Sequence, residues 1–166
     1  MLKLRPTIRI DNVYEIDEAF LRAHQIKGIV LDVDNTLVRN KVGVPDEKLY
    51  RLIDRWKSAG MKLVILTNAR RSRMALFGDE AGIKIIPMAN KPFKKGYVQA
   101  VEYLGLPKDK IVALGDQLFT DIWGGNRAGL RTVLVTPIDL SNECLWLRMK
   151  RALERPLLRK IQREDH

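Results

Sequence analysis

A chain of 166 residues carries 30 Lys and Arg against 20 Asp and Glu, a formal net charge of +10. That length supports one domain with a real core. Hydrophobic residues at 46% and charged residues at 30% exclude an intrinsically disordered chain. The charge implies attraction to something anionic, whether phosphate esters, nucleic acid or an acidic membrane face, without choosing among them. The single Cys144 cannot close an internal disulfide, which fits a reducing compartment. With no histidine near it in sequence, Cys144 is expected as a semi-buried helix residue rather than a nucleophile. No stretch approaches the roughly 20 apolar residues of a membrane span. The opening Met1-Leu-Lys-Leu-Arg-Pro lacks an apolar core of signal-peptide length. The expected location is cytoplasmic, with a tether to the inner membrane face left open.

The segment Leu2–Phe20 reads as an irregular packing arm. The first strong signal is Ile29–Val33, strand-like and β-rich, with Asp32 and Asp34 at its end and Asn35-Thr36 directly after. Residues i and i+2 of an extended chain point the same way, so Asp32 and Asp34 should aim at one spot. There like charges repel unless a cation or a shared proton holds them. A turn rich in Asp, Asn and Thr is the plainer alternative. Pro45–Ala59 then carries Leu49, Leu52, Ile53 and Trp56 at helical spacing and is closed by Gly60. Lys62–Thr67 is a second strand, ending in a hydroxyl and Asn68. Arg70–Ala81 is a helix closed by Gly82, and Ile83–Ile86 a short strand. Pro92–Leu104 is a helix closed by Gly105. Lys110–Leu114 is a strand ending in Gly115-Asp116, Thr120–Ala128 a short helix, and Arg131–Val135 the last strand.

Strands alternating with helices predict an α/β fold, a Rossmann-like doubly wound parallel sheet. In such sheets working residues collect at the carboxyl ends of strands, where Asp32, Asp34, Thr67, Asn68 and Asp116 all fall. Parallel strands would bring Lys91 and Asp121 to the same place. Carboxylate oxygens suit Mg²⁺, whereas His24, His166 and the lone Cys144 lie outside these segments and do not make a zinc site. Each residue also has a plainer role available. Thr67-Asn68 and Asn90-Lys91-Pro92 could be turns, Lys91 a solvated charge beside Lys94 and Lys95, and Asp121 a cap for the helix Ile122–Ala128.

In order and content these segments resemble the four motifs of the haloacid dehalogenase-like (HAD) phosphatases. Asp32-Val-Asp-Asn-Thr-Leu is similar to the first, Leu66-Thr-Asn to the second, Lys91-Pro to the third and Gly115-Asp116-Gln-Leu-Phe-Thr-Asp121 to the fourth, a resemblance covering about residues 26 to 136. It implies that Asp32 is a nucleophile forming an aspartyl-phosphate. Asp34 would be the general acid and then the base. Asp32, the backbone carbonyl of Asp34, and Asp116 would hold Mg²⁺. Thr67, the Asn68 backbone amide and Lys91 would bind phosphoryl oxygens. Asp121 would orient Lys91 or a water on the metal.

Enzymes of this superfamily with cap domains carry large insertions after the first motif or between the second and third. Here 32 residues (35–66) lie between Asp34 and Thr67 and 23 (68–90) between Thr67 and Lys91, room for about one helix and its loops. No cap domain is expected, and the cleft should be open. The stretches Leu4-Arg-Pro-Thr, Val13-Tyr-Glu-Ile, His24-Gln-Ile-Lys-Gly-Ile-Val and Ala89-Asn-Lys-Pro narrow the resemblance to the YqeG family of small HAD phosphatases. That family is related to phosphatidylglycerophosphate phosphatases.

The expected organisation is a phosphatase core over 1–136 with an N-terminal arm at 1–25, then a basic amphipathic helical segment over 137–166. In that segment Leu145, Met149, Ala152 and Leu153 share a helical face, while Arg148, Lys150, Arg151 and Arg155 populate others. Pro156 should kink or break the helix. A basic amphipathic segment with Trp146 suits an anionic membrane surface; packing on its own domain is the alternative. The leading expectation is a Mg²⁺-dependent phosphatidylglycerophosphate phosphatase of phosphatidylglycerol and cardiolipin synthesis, taking a phospholipid headgroup through peripheral membrane contact. The same chemistry on a soluble phosphate ester or phosphoprotein is one rival. A basic nucleic-acid-binding protein on the same scaffold is another, although no nucleic-acid module or aromatic stacking cluster is visible. Oligomeric state is not legible.

Overall fold

Strands β2 (Gly28–Leu31), β3 (Lys62–Leu66) and β5 (Ile111–Gly115) form the centre of a six-stranded, all-parallel sheet. The computed structural model describes residues 3–41 and 44–164. The start of the expected N-terminal arm (Met1 and Leu2) and His166 therefore lie outside the described residues. The strand order is β1-β6-β5-β2-β3-β4, with β1 at Ile8–Ile10, β4 at Lys84–Ile86 and β6 at Arg131–Val135.

Alternate residues of the central strands feed two cores, as the two-residue period of a strand requires. On one face Ile29, Leu31, Ile65, Val112 and Leu114 pack with α2 (Glu47–Ser58) and α3 (Arg71–Ala81). On the other, Val30, Val64, Leu66, Ile111 and Ala113 pack with α4 (Lys94–Leu104) and α5 (Trp123–Ala128). The helical spacing read for α2 is realised: Leu49, Leu52, Ile53 and Trp56 are all buried, and Asp46 caps the helix by accepting from the Leu49 amide at 2.8 Å. A fully buried side chain of this size contributes about 1.5–3 kcal/mol. Among the described residues the stretch from β2 to β3 holds one helix and loop, and that from β3 to Lys91 holds α3 and β4, as the spacing predicted.

Three elements differ from the sequence reading. The N-terminal segment is not merely an arm: β1 pairs in parallel with β6, Ile8 opposite Val133, and extends the sheet, and the short α1 (Glu18–Ala23) follows. Cys144 is exposed and precedes the last helix, rather than lying semi-buried within it. That helix, α6 (Leu145–Glu164), runs through Pro156 without ending there.

Candidate active site

The site is assembled where β2, β3 and β5 end. Asp32 follows β2 directly, and its amide donates to the Leu114 carbonyl at 2.9 Å, one rung beyond the ladder with β5. The chain then turns. Asn35 is in the left-handed region at φ 59°, and its amide donates to the Val38 carbonyl at 2.7 Å. β2 ends at Leu31; the charge of Asp34 is still felt at Asp32, but the two side chains take different partners. Asp32 is buried, whereas Asp34 is half-buried, accepts from the Lys41 amide at 3.1 Å and is ion-paired to Arg73 of α3.

Lys91 is the first hub. Its Nζ donates to Asp32 Oδ1 and to Asp121 Oδ1, both at 2.6 Å, and all three side chains are buried. The turn reading of Asn68 and Lys91 is half right. Asn90-Lys91-Pro92 does turn, with the Phe93 amide donating to the Asn90 carbonyl at 2.9 Å, and the Asn68 side chain clamps the Lys91 backbone, with Oδ1 accepting from the Lys91 amide at 2.7 Å and Nδ2 donating to its carbonyl at 3.3 Å. Thr67 is buried beside it, its hydroxyl accepting from the Ala69 amide at 3.1 Å. Asp121 does not cap α5; its Oδ2 accepts from the Gln117 amide upstream at 3.1 Å. A Cβ on Gly115 would collide with the Asp121 carboxylate, so this position needs glycine to let Asp121 close on the end of β5.

The second hub is one the sequence did not disclose. Arg151 of α6 is ion-paired to Asp116 Oδ2, donates to the Asp116 carbonyl at 2.7 Å and holds Glu143 Oε1 at 2.8 Å. Glu143 in turn accepts from Asn35 Nδ2 at 2.9 Å, which ties the segment before α6 to the turn after Asp32. Thr36 bridges the two regions, with its hydroxyl 3.1 Å from Asp32 Oδ2 and 3.2 Å from Asp116 Oδ1. Thr36 stood within the quoted Asp-Asn-Thr, but nothing local marked Arg151, whose partner Asp116 lies 35 positions away. In sequence it looks like one more charge in a basic run.

Burial pushes the Asp32 carboxyl up to about 6 despite the lowering pull of Lys91. Burial pushes Asp116 further, to about 8, against the same kind of pull from Arg151. For Lys91, burial acts to lower the pKa, but Asp121 and Asp32 outweigh it and hold the ammonium charged. The neighbouring carboxylates add to the effect of burial on Asp32 and Asp116. Asp32, Asp116, Asp121, Glu143 and Glu154 are buried carboxylates, and Lys91 and Arg151 the buried cations. Among the described residues the buried carboxylates outnumber the buried cations even with half-buried Lys150 near Glu154 and Asp121, and Thr36 has one proton to offer two carboxylates. Carboxylate oxygens of Asp32, Asp116 and Asp121 come within 4.8 Å of one another. A hard-oxygen donor set with excess negative charge fits a divalent cation such as Mg²⁺. The Asp34 carboxylate lies outside this group of three; the ligand expected from that residue is its backbone carbonyl.

Residues 43–129 match the haloacid dehalogenase-like hydrolase family. A Bacillus subtilis protein named "Probable phosphatase YqeG" is 36% identical over 95% of this chain and 91% of its own length. The chain belongs to the haloacid dehalogenase-like hydrolases, among the YqeG-like phosphatases. This HAD phosphatase is also 29% identical, over 96% of its length, to an Arabidopsis thaliana protein named "Phosphatidylglycerophosphate phosphatase 1, chloroplastic/mitochondrial", of which it spans 48%. Its fold is shared with the 3-deoxy-D-manno-octulosonate 8-phosphate phosphatase of Yersinia pestis, at TM-score 0.57 and 17% identity over 75% of this chain and 71% of that one.

Proposed function

We propose that this phosphatase is a Mg²⁺-dependent phosphomonoester hydrolase working through an aspartyl-phosphate on Asp32, with phosphatidylglycerophosphate as substrate. The observation that carries the chemistry is the buried Asp32–Lys91–Asp121 array beside Asp116. It offers a nucleophile, an anchored cation and a carboxylate cluster at one strand-end site.

The reaction takes two steps. Asp32 Oδ forms a bond to phosphorus while the phosphorus–alkoxide bond breaks, and Asp34 supplies the proton that leaves with the alcohol. Water then attacks phosphorus, passes its proton to Asp34 and releases inorganic phosphate as the Asp32–phosphorus bond breaks. Lys91, held by Asp121 and by the Asn68 clamp, offers its ammonium to the phosphoryl oxygens where charge collects. Thr67 and the Asn68 amide would bind the same oxygens. Asp34 must first exchange its contact with Arg73 for the substrate oxygen, and its half-buried position leaves room for that. Asp32, the Asp34 carbonyl and Asp116 would hold the cation, which when bound lets an anionic nucleophile approach an anionic phosphate.

Two observations support a lipid substrate. The Arabidopsis relative bears that activity in its name. The outer face of α6 also exposes Leu145, Trp146, Met149 and Leu153, with Arg148 and Arg155 beside them. Met88 and Phe93, flanking Lys91, are exposed as well. Exposed apolar side chains among basic ones suit an anionic bilayer surface. The described residues contain no helix long and apolar enough to cross a membrane, so the contact proposed is peripheral. The test is turnover of phosphatidylglycerophosphate in mixed vesicles beside a panel of soluble phosphate esters. Preference for the lipid supports the assignment, and equal or better turnover of a soluble ester overturns it.

A further inference from the structure

Helix α6 is inside out over its first half. Its apolar residues Leu145, Trp146, Met149 and Leu153 face outward, while Arg151 and Glu154 are buried at 8% and 1% exposure. Burying a guanidinium and a carboxylate is costly unless every group finds a partner. Apart from Glu143 just before the helix and the Arg151–Glu154 pair within it, these partners lie in the loop that begins at Asp116. Arg151 holds the Asp116 carbonyl and carboxylate. Lys150 Nζ donates to Gln117 Oε1 at 3.0 Å, and Glu154 Oε1 accepts from the Phe119 amide at 2.9 Å. Three residues of α6 thus grip the backbone and side chains of residues 116–119. Farther along, Leu158 and Ile161 pack on Leu118, Ile122 and Leu134 and fix the helix to the same loop.

We propose that Arg151 is a positioning residue for the divalent cation: it holds Asp116 by one carboxylate oxygen and the carbonyl, so that the other oxygen stays aimed at Asp32 and Asp121. The proposal rests on the cation-dependent reading above. Arg151 does not compete with the cation for the site. With Arg151 in place the buried cluster still lacks positive charge, and Oδ1 of Asp116, the oxygen facing Thr36, is not the one the guanidinium takes. The planar fork suits this task in a way an ammonium does not, since it reaches Asp116 at two atoms and Glu143 at once. The C-terminal helix is thereby part of the catalytic apparatus.

The test measures Mn²⁺ binding by calorimetry, without substrate, in wild type, Arg151→Met and Arg151→Lys, with circular dichroism to check the fold. Loss of a group that orients a metal ligand typically costs 10–100-fold in affinity. Arg151→Met is expected to weaken Mn²⁺ binding by about that factor, and Arg151→Lys to recover part of it. The Mg²⁺ concentration giving half-maximal turnover of an aryl phosphate should rise in parallel, while KM for the ester at saturating Mg²⁺ stays near wild type. If Arg151→Met does not fold, Arg151→Lys carries the test and should still bind Mn²⁺ more weakly than wild type. Unchanged or tighter binding by a folded variant overturns the proposal and makes the guanidinium a structural clasp or a competitor. Failure of wild type to bind Mn²⁺ at all would instead overturn the cation-dependent reading itself.

Discussion

The two cationic hubs hold the same kind of carboxylate in different ways. Lys91 comes from a strand-end loop beside the carboxylates it serves, and one ammonium bridges Asp32 and Asp121. Arg151 comes from the last helix and grips Asp116 together with the loop that carries it. Lys91 can move its protons from a carboxylate to a phosphoryl oxygen, as a compact point charge does. Arg151 is fixed at several atoms and is suited to holding a geometry. In the proposed mechanism the first hub would serve the chemical step and the second cation binding.

The largest expected effect removes what both hubs serve. Asp32→Asn should lower phosphate release from an aryl phosphate by about 10³-fold or more; intact hydrolysis would mean the nucleophile lies elsewhere. Lys91→Met should lower kcat by about 10²–10³-fold at saturating Mg²⁺, whereas Arg151→Met should give back most of its lost rate when Mg²⁺ is raised. Steady-state kinetics over a Mg²⁺ series separate the two, and identical behaviour of both variants would erase the distinction between the hubs.

Titration gives a smaller and graded effect. Burial pushes Asp32 up to about 6 and Asp116 up to about 8. The cation-free folded protein therefore keeps protons that the unfolded chain releases in the ordinary carboxylate range. The contribution of Asp32 and Asp116 to its stability should be fullest below that range and fall as pH rises through about 6 and then about 8. A divalent cation needs both carboxylates deprotonated, so the rise in Tm on adding Mn²⁺ should be larger at pH 8 than at pH 6. A rise that is flat or shrinks over that interval would contradict the assignment of the burial effect to these two groups.

The smallest effect concerns the outward face of α6. Trp146→Ser with Met149→Ser should leave aryl phosphate turnover within about twofold of wild type, as for surface changes generally. The same change should weaken flotation with anionic vesicles. Loss of soluble-ester turnover by this variant would show that the outer face supports the site rather than a membrane contact.

What was legible in the sequence follows the same division. Asp32, Thr67, Asn68 and Asp116 stand at strand ends, readable from apolar runs that stop at polar residues, while Lys91 and Asp121 lie farther on, in the segments after β4 and β5, and were legible through the motif resemblance. The parallel sheet brings these residues together, as the alternation of strands and helices implied. The turn after β2 was legible as the plainer alternative, but the pairing of Asp34 with Arg73 beside it was not readable, since Arg73 lies 39 positions on. Nor was β1, a three-residue strand whose pairing partner β6 lies more than 120 positions on. The C-terminal helix was legible in part. Its apolar stripe left a membrane surface and packing on its own domain both open; the stripe faces outward, and the polar face, which nothing local marked, goes inward to Asp116.

The central claim is that the buried carboxylate of Asp32 bonds to phosphorus. The direct measurement is to quench the protein during turnover, reduce any acyl phosphate with borohydride and map the product by mass spectrometry. The account predicts reduction at position 32, in the presence of Mg²⁺ and absent from Asp32→Asn. Trapped label at another residue, or steady turnover with no trapped label at any time, would contradict it.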